Sequence, residues 1–167
     1  MSRTRLISVD GANGRAVLAE ARRLAREGSE IKGVSQWDAS GLFEQLLVAS
    51  KDDLDPRALL LLYAADLAFR LRWEIEPALA EGQHVVAAPY VDTAVAFGRA
   101  SGLPLKWLTN LFRFARTPSE RHVVKTKPER TRAMDGFVEF GCRQSQSGKD
   151  NARALASKTR EYLKTRR

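Results

Sequence analysis

Apolar and polar positions along the chain alternate between runs typical of strands and spacings typical of helices. Leu6 to Val9 is a short apolar run, and Arg15 to Glu27 then places apolar residues at helical spacing before Gly28. A second strand is predicted over Ile31 to Val34. His84 to Ala88 is the most continuous strand-like run, which is typical of a central parallel strand. The chain is therefore predicted to open as a strand, a glycine-containing turn and a helix.

The middle of the chain predicts one long apolar helix. Pro56 fits its first turn, and the helix is expected to run from about Arg57 to Ala80, with Gly82 ending it. Residues 59–65 are apolar on nearly all sides of this helix. We therefore expect it to be covered on more than one side, by the chain's own core and by a second subunit.

The other predicted elements continue the alternation of strands and helices. Helices are predicted over Asp92 to Gly98 and Lys106 to Phe114, and strands at Val123-Val124 and over Gly136 to Phe140. Two more helices are predicted with a capping residue: one through Leu46 and Leu47 with Ser40 as its cap, and one from Ala152 to Leu163 with Asn151 as its cap. This order predicts one α/β domain over residues 1–167, with a three-layer α/β/α architecture and a mostly parallel central sheet. Ligands of such sheets bind beyond the carboxyl ends of the strands, which here are Asp10 to Gly14, Ser35 to Gly41 and Ala88 to Asp92.

Composition excludes several classes of protein. No apolar run reaches the length of a membrane span, and no signal-peptide core precedes the first strand, so we expect a cytoplasmic protein without membrane contact. The single Cys142 cannot form an internal disulfide, and no second Cys or His lies at metal-ligand spacing. No metal site is therefore predicted.

The net charge of +8 is concentrated in the last third of the chain. Residues 113–167 carry 15 Lys and Arg against 6 Asp and Glu, whereas residues 1–112 carry 13 against 14. The predicted basic surface consists of Arg113, Arg116, Arg121, Lys125, Lys127, Arg130 and Arg132. Such a surface either binds phosphates, nucleic acid or an anionic partner, or is the solvated face of a basic tail, and the sequence favours neither.

Three segments, in order, are similar to parts of one family of nucleotide kinases. Ile7 to Gly14 is similar to the opening strand and phosphate loop of that family. Leu62 to Asp66, followed by Ile75 to Gly82, is similar to its long third helix and the exit from that helix, and Val85 to Thr93 is similar to a strand that leads into a helix. By the order and spacing of these segments, the chain resembles the thymidylate kinases over most of its length. The resemblance implies a P-loop nucleotide-kinase fold in a shortened, degenerate member.

The departures from this family fall on the residues that carry its chemistry. A working phosphate loop has the sequence Gly, any four residues, and then Gly-Lys-Ser/Thr. When the first glycine is Gly11, the second glycine of the motif falls on Ala16, the lysine on Val17 and the Ser/Thr on Leu18. The family's Asp-Arg-Tyr is Ala88-Pro89-Tyr90 here. The resemblance implies an arginine at the position of Leu67 and another at the position of Ser35 or Gln36. It implies Tyr-Gln at the position of Phe97-Gly98. The stretch after Pro128-Glu129 is too short for an arginine-bearing lid.

Two sets of residues remain as candidates for binding. The remnant of the phosphate loop is Asp10, Gly11, Asn13, Gly14 and Arg15, which either holds an anion through backbone amides or only shapes a tight turn. The vestigial nucleotide pocket is Trp37, Asp38, Ser40, Tyr63, Asp66, Tyr90, Asp92, Thr93 and Phe97. Tyr63 stands where the resemblance implies a base-stacking aromatic, and the alternative is that it belongs to the core. Trp37 is either a contact for a ligand or partner, or a plug of the pocket.

The leading hypothesis is a catalytically inactive scaffold, regulatory or binding subunit: a pseudokinase without catalytic residues or cofactor, in which weak binding of a nucleotide or phosphate is left open. It is expected to form a homodimer through the helix around residues 58–73 and to bind a further protein of unknown identity. The first alternative is a nucleic-acid-binding module that uses the basic last third. The second is a kinase with different catalytic residues, for which Asp10, Asp66 and Asp92 are the available cleft carboxylates.

Overall fold

Four parallel strands form the centre of the molecule. The computed structural model describes residues 4–28, 30–41, 45, 55–125 and 149–165. The strands are β1 (Leu6–Asp10), β2 (Ile31–Gln36), β3 (His84–Ala88) and β4 (Glu120–Val123), in the order β2-β3-β1-β4. All three pairings are parallel, with Leu6 opposite Val85 and Ile7 opposite Glu120. The predicted α/β fold with a mostly parallel sheet is confirmed.

Helices cover both faces of the sheet. They are α1 (Gly14–Glu27), α2 (Pro56–Arg70), a π-helical segment (Leu71–Ile75), α3 (Glu76–Ala80), α4 (Val91–Ala100), α5 (Leu105–Leu111) and α6 (Lys149–Lys164). Because side chains alternate along a strand, Ile7 and Val9 pack with Val17 of α1 on one face. Leu6 packs on the other face, in the core formed with α2, α4 and α5. These are the three predicted layers.

The predicted long helix is present, but a π-helical segment interrupts it. Pro77 lacks a backbone N–H and would clash with the preceding turn if it lay inside a continuous α-helix. In the structure Pro77 lies in the first turn of α3, where that N–H is not needed, and the π segment from Leu71 to Ile75 precedes it. The segment adds a residue to the local turn and changes the direction in which later side chains point.

Several predicted boundaries were wrong. Helix α6 begins at Lys149, so Asn151 lies inside it and is not its cap. The strand predicted at Val123-Val124 instead runs from Glu120 to Val123 as β4, because its extent is set by pairing with β1 and not by local apolar character. The predicted helix through Leu46 and Leu47 and the predicted strand over Gly136 to Phe140 lie outside the described residues, as does Pro128-Glu129.

Helix α6 closes the molecule against α4. Leu163 packs with Ala12 and Ala96, so the last helix touches both the turn after β1 and α4. The guanidinium of Arg99 lies 4.0 Å from the ring centroid of Tyr162, in cation–π geometry. Among the described residues, no helix combines the length and the apolar composition needed to cross a membrane.

Candidate functional site

The carboxyl ends of β1, β2 and β3 meet at one edge of the sheet, where the site was predicted. Gln36 at the end of β2 is opposite Ala88 at the end of β3, and the Trp37 amide donates to the Ala88 carbonyl at 3.4 Å. Asp10 at the end of β1 contacts the segment that follows β3. The fold therefore brings the three predicted strand ends together.

Asp10 joins the turn after β1 to the start of α4. Its Oδ1 accepts from the backbone N–H of Tyr90 at 3.0 Å and from that of Thr93 at 2.9 Å. The hydroxyl of Thr93 in turn accepts from the Gly11 N–H at 3.0 Å. Tyr90, the residue that precedes α4, makes no side-chain cap. Asp10 therefore supplies the capping oxygen of α4 from 80 residues away in sequence.

The capping carboxyl of Asp10 is fully enclosed. Burial, followed by the nearby charge of Asp92, raises the pKa of Asp10 from its usual 3.8 to about 6, against the opposing effect of the hydrogen bonds from Thr93 and Tyr90. Because folding favours the neutral acid, holding this carboxylate ionised at neutral pH costs stability.

The remnant of the phosphate loop is organised around the start of α1. Asn13 is the N-cap: its Oδ1 accepts from the Ala16 N–H at 3.0 Å, and its carbonyl accepts from the Val17 N–H at 2.9 Å. The helix thus begins at Gly14, ahead of Ala16 and Val17. Arg15 is exposed on its first turn. The amides of residues 16 and 17 are therefore engaged within the chain.

Val17 occupies the space beneath this loop. Its side chain is buried among Ile7, Val9 and the other residues of the core on the α1 face. A Cβ on Gly11 would lie 2.8 Å from the Val17 Cγ2 and 3.3 Å from the Val124 Cβ, so the loop rests directly on apolar side chains. An aliphatic group at this position packs into the core and offers no charge to the loop.

In the predicted nucleotide pocket, two aromatic rings pack against each other. The Trp37 ring centroid lies 5.2 Å from that of Tyr63, with planes tilted by 31°. Tyr63 is fully buried, and its hydroxyl contacts the carbonyls of Pro89 and Tyr90 at 2.9 and 2.6 Å. Phe97 is also fully buried in the same core. Trp37 therefore packs against the aromatic that the resemblance assigned to base stacking.

Arg70 is a buried cation in this cleft that the sequence interpretation missed. Its Nε donates to the Asp66 Oδ2 at 2.7 Å, and its Nη1 lies 3.4 Å from both the Ser35 and the Pro89 carbonyls. Its Nη2 is buried without a hydrogen-bond partner among the described residues. Burial raises the pKa of Asp66, and the charge of Arg70 opposes that shift. The spacing of four residues between Asp66 and Arg70 on a helix was the available signal.

Further contacts tie the end of β2 to α2 and the π segment. The Ser35 hydroxyl donates to the Glu74 Oε2 at 2.7 Å, and the Asp38 N–H donates to the Asp66 Oδ1 at 3.3 Å. Asp38 has a φ of 46°, in the left-handed region, and Ser40 is exposed on the same turn. Ser35, one of two positions where the resemblance implied an arginine, is thus held by the chain's own side chains.

The predicted basic surface divides into described and undescribed parts. Arg116 donates through Nη1 to the Glu76 Oε2 at 2.9 Å, and the Arg121 Nη1 lies 3.8 Å from the Asp92 Oδ2. Arg113 and Lys125 are exposed. Lys127, Arg130 and Arg132 lie outside the described residues. Within the part of the chain that the structure describes, no group of three or more His, Cys, Asp or Glu side chains is placed to hold a metal ion.

Comparison with known proteins gives related sequences and a related structure. No protein-family model matches the chain. A thymidylate kinase from Synechococcus sp. (strain JA-3-3Ab) is 34% identical over 151 residues, covering 85% of this chain and 70% of that protein. A probable thymidylate kinase from Caldivirga maquilingensis is 31% identical over 104 residues, covering 60% of this chain and 51% of that protein.

The fold has a counterpart among solved structures. The crystal structure of thymidylate kinase from Ehrlichia chaffeensis matches with a TM-score of 0.65 and 19% sequence identity, covering 75% of this chain and 78% of that one. At that identity the likeness concerns the arrangement of strands and helices.

Proposed function

The chain belongs to the thymidylate kinase family, and we propose that it acts as a pseudokinase: a scaffold, regulatory or binding subunit that keeps the fold without the phosphoryl-transfer chemistry. The observation that carries this proposal is the packing of Trp37 against Tyr63, 5.2 Å between ring centroids. A base stacked on that side of Tyr63 would have to displace Trp37 first. The chain's own aromatic side chain thus takes the place of a ligand.

The polar groups around the two rings support the same conclusion. Arg70 is neutralised by Asp66 and contacts carbonyls at the ends of both β2 and β3. Ser35 is engaged by Glu74. These contacts use charges and hydroxyls that an open nucleotide site would direct toward the ligand.

The side of the site that would face the phosphates supports it independently. In working P-loop kinases a lysine reaches the terminal phosphates and a hydroxyl holds Mg²⁺. The corresponding positions are Val17, buried in the core, and Leu18. Losing one transition-state donor typically costs about 10²–10³ in rate, and here several are replaced together. The chemistry would need new groups, and Ala88-Pro89 supplies none where the family has Asp-Arg.

Calorimetry and a coupled assay test this proposal directly. We expect no saturable binding of Mg-ATP up to millimolar concentration, and no ADP formation with thymidine monophosphate or other nucleoside monophosphates as acceptors. A thymidylate kinase such as the Synechococcus relative serves as the positive control. Tight, Mg²⁺-dependent ATP binding, or turnover above the no-enzyme rate, would overturn the pseudokinase proposal.

A second copy of the chain is the proposed partner of α2. Leu61, Phe69 and Trp73 are 54%, 60% and 64% exposed, and their spacing follows one side of α2 into the π segment. Exposed apolar residues in such a row indicate a contact surface. The rings of Phe69 and Trp73 already touch, with centroids 6.4 Å apart. A symmetric pair of these helices would cover both copies of the row.

The oligomeric state can be measured with a matched control. Light scattering on the eluted wild-type chain is expected to give twice the mass of one chain, and Phe69→Glu is expected to give a monomer with an unchanged circular dichroism spectrum. Phe114→Glu changes another exposed aromatic, 44% exposed, that follows α5 in the chain and is not part of this row, and should leave the dimer intact. A monomeric wild type would remove the homodimer while leaving the pseudokinase proposal standing.

A further inference from the structure

A polar cavity lies on the face of the sheet opposite α1. Its volume is about 110 Å³. The polar part of its lining consists of Ser8, Tyr90, Asp92, Arg116, Thr117 and Arg121, and the rest is apolar. The lining thus comes from β1, the start of α4, the segment after α5, and β4. None of the residues of the phosphate-loop remnant from Gly11 to Arg15 belongs to it.

The size and lining of the cavity suit a small polar occupant. A water molecule takes a share of ~30 Å³ in the liquid, so the volume corresponds to about three or four waters or one small oxyanion. The cavity opens to solvent and presents hydroxyl, carboxylate and guanidinium groups beside apolar side chains. A small polar occupant can therefore be hydrogen-bonded there.

Two arginines at the cavity are each oriented by a carboxylate. Arg116 is held by Glu76 through one nitrogen, and Arg121 lies 3.8 Å from Asp92, beyond direct hydrogen-bond distance. A guanidinium carries five N–H donors, so one carboxylate partner leaves donors for a second acceptor. Planar guanidinium groups bind phosphate and carboxylate oxygens with two parallel hydrogen bonds.

The wall that carries Arg116 is fixed to the core. The hydroxyl of the buried Tyr90 donates to the Arg116 carbonyl at 2.7 Å, which anchors the backbone at this point. The side chain of Asp92 is 8% exposed and opposes an anion, but Arg121 is its nearby counter-charge. The charges of the two arginines are balanced by Glu76 and Asp92, so the attraction for an anion comes from the guanidinium N–H groups that a single carboxylate partner does not engage.

We propose that this cavity binds a small oxyanion of phosphate chemistry, either inorganic phosphate or the head group of a phosphate monoester, with Arg116 and Arg121 as its cationic partners. The hydroxyls of Ser8 and Thr117 supply further donors from the lining. The cavity shares Tyr90 and Asp92 with the predicted nucleotide pocket but excludes the positions of the phosphate loop, so the proposal does not depend on the loss of kinase chemistry. Binding here would give a family member without phosphoryl transfer a way to sense a phosphorylated metabolite.

Calorimetry and thermal unfolding of the full chain test the site, with inorganic phosphate as the probe and chloride at equal ionic strength as the reference. We expect phosphate to bind saturably and to raise Tm above the chloride value. Arg116→Gln and Arg121→Gln should each weaken binding about 10-fold, the loss typical of one charge-assisted hydrogen bond. Arg113→Gln is the matched control, since Arg113 is exposed and outside the lining.

Phenyl phosphate separates the two sources of the oxyanion. Affinity for it above that for inorganic phosphate identifies a monoester as the occupant, and equal or lower affinity identifies the free ion. A response to phosphate no larger than that to chloride would overturn the proposal, as would equal weakening by Arg113→Gln and Arg121→Gln. If Arg121→Gln does not fold, the affinity of Arg116→Gln for phosphate, compared with that of Arg113→Gln, decides the result, since Arg116 is half-exposed. Mg-ATP binding is scored separately, so this site and the pseudokinase proposal can fail independently.

Discussion

Two buried carboxyl groups stand at the same edge of the sheet and are stabilised in opposite ways. Asp66 is neutralised by Arg70, 2.7 Å away on the same helix. Asp10 receives backbone N–H groups from Tyr90 and Thr93, and its nearest charged influence is another acid, Asp92. The first pair closes the cleft with charges that cancel. The second joins two elements with a charge that the interior disfavours, which makes that junction sensitive to pH.

The largest expected effect comes from removing the cation of the first pair. Arg70→Met leaves Asp66 buried without its partner and should lower the free energy of unfolding by about 3–5 kcal/mol. Urea denaturation of the wild type and the variant measures this change.

A double variant separates the charge from the packing. Asp66→Asn combined with Arg70→Met removes both charges and should recover most of the lost stability, since a buried pair replaced by neutral groups is often tolerated. If the double variant is as unstable as Arg70→Met alone, the loss comes from packing, and the contrast with Asp10 fails.

The next effect concerns the pH dependence that Asp10 imposes. Its folded pKa of about 6 exceeds the usual 3.8, so the folded state binds the proton more readily, and the contribution of Asp10 to stability should rise by up to about 3 kcal/mol as pH falls from 7 to below 4. Asp10→Asn keeps an oxygen for the N–H groups of Tyr90 and Thr93 but has no charge. It should therefore be more stable than the wild type at pH 7.

The difference between the two unfolding curves isolates this one group. Measured from pH 4 to 8, the stability gained by Asp10→Asn should grow as pH rises from about 4 to about 6, between the unfolded and folded pKa values of Asp10, and level off above that. Other carboxyl groups titrate in both proteins and cancel in the difference. A constant offset between the curves would show that the carboxyl of Asp10 titrates no differently in the folded and unfolded chains.

The smallest effect tests the hydrogen bond beside Asp10. Thr93→Val preserves the shape of a fully buried side chain but removes the oxygen that accepts from the Gly11 N–H. An unpartnered buried donor should lower the free energy of unfolding by about 1–2 kcal/mol. Thr109→Val is the control, because the hydroxyl of Thr109 is exposed and bonds only to the Leu105 carbonyl of its own helix. Equal changes in the two variants would contradict the assigned role of Thr93.

The sequence was sufficient for the features that depend on local pattern. The apolar run at His84 to Ala88 and the glycine-containing turn after Val9 predicted a buried strand and a strand-to-helix turn, and both are present. The position of the cleft followed from the general behaviour of parallel sheets, which places their carboxyl ends at one edge. The confirmed family resemblance rested on the same segments.

Contacts between distant positions could not be predicted in this way. No local pattern indicates that Asp10 caps a helix whose first residues are 80 positions later. The π segment also left no periodic signature, because one added residue shifts the helical phase without changing composition. The spacing of four residues between Asp66 and Arg70 was visible in the sequence, but the same spacing is common on exposed helix faces and does not by itself indicate a buried pair.

The order of the strands has a consequence for how the chain is made. Strand β1 lies between β3 and β4, so Leu6 pairs with Val85, and Ile7 pairs with Glu120, more than 110 residues later. At the usual pace of synthesis the first strand waits on the order of 10 seconds before its second neighbour exists. Pairing over such separations is also intrinsically slow. During that interval the apolar strand β1 cannot complete its pairing within the sheet, so the last part of the sheet forms only after β4 has been made.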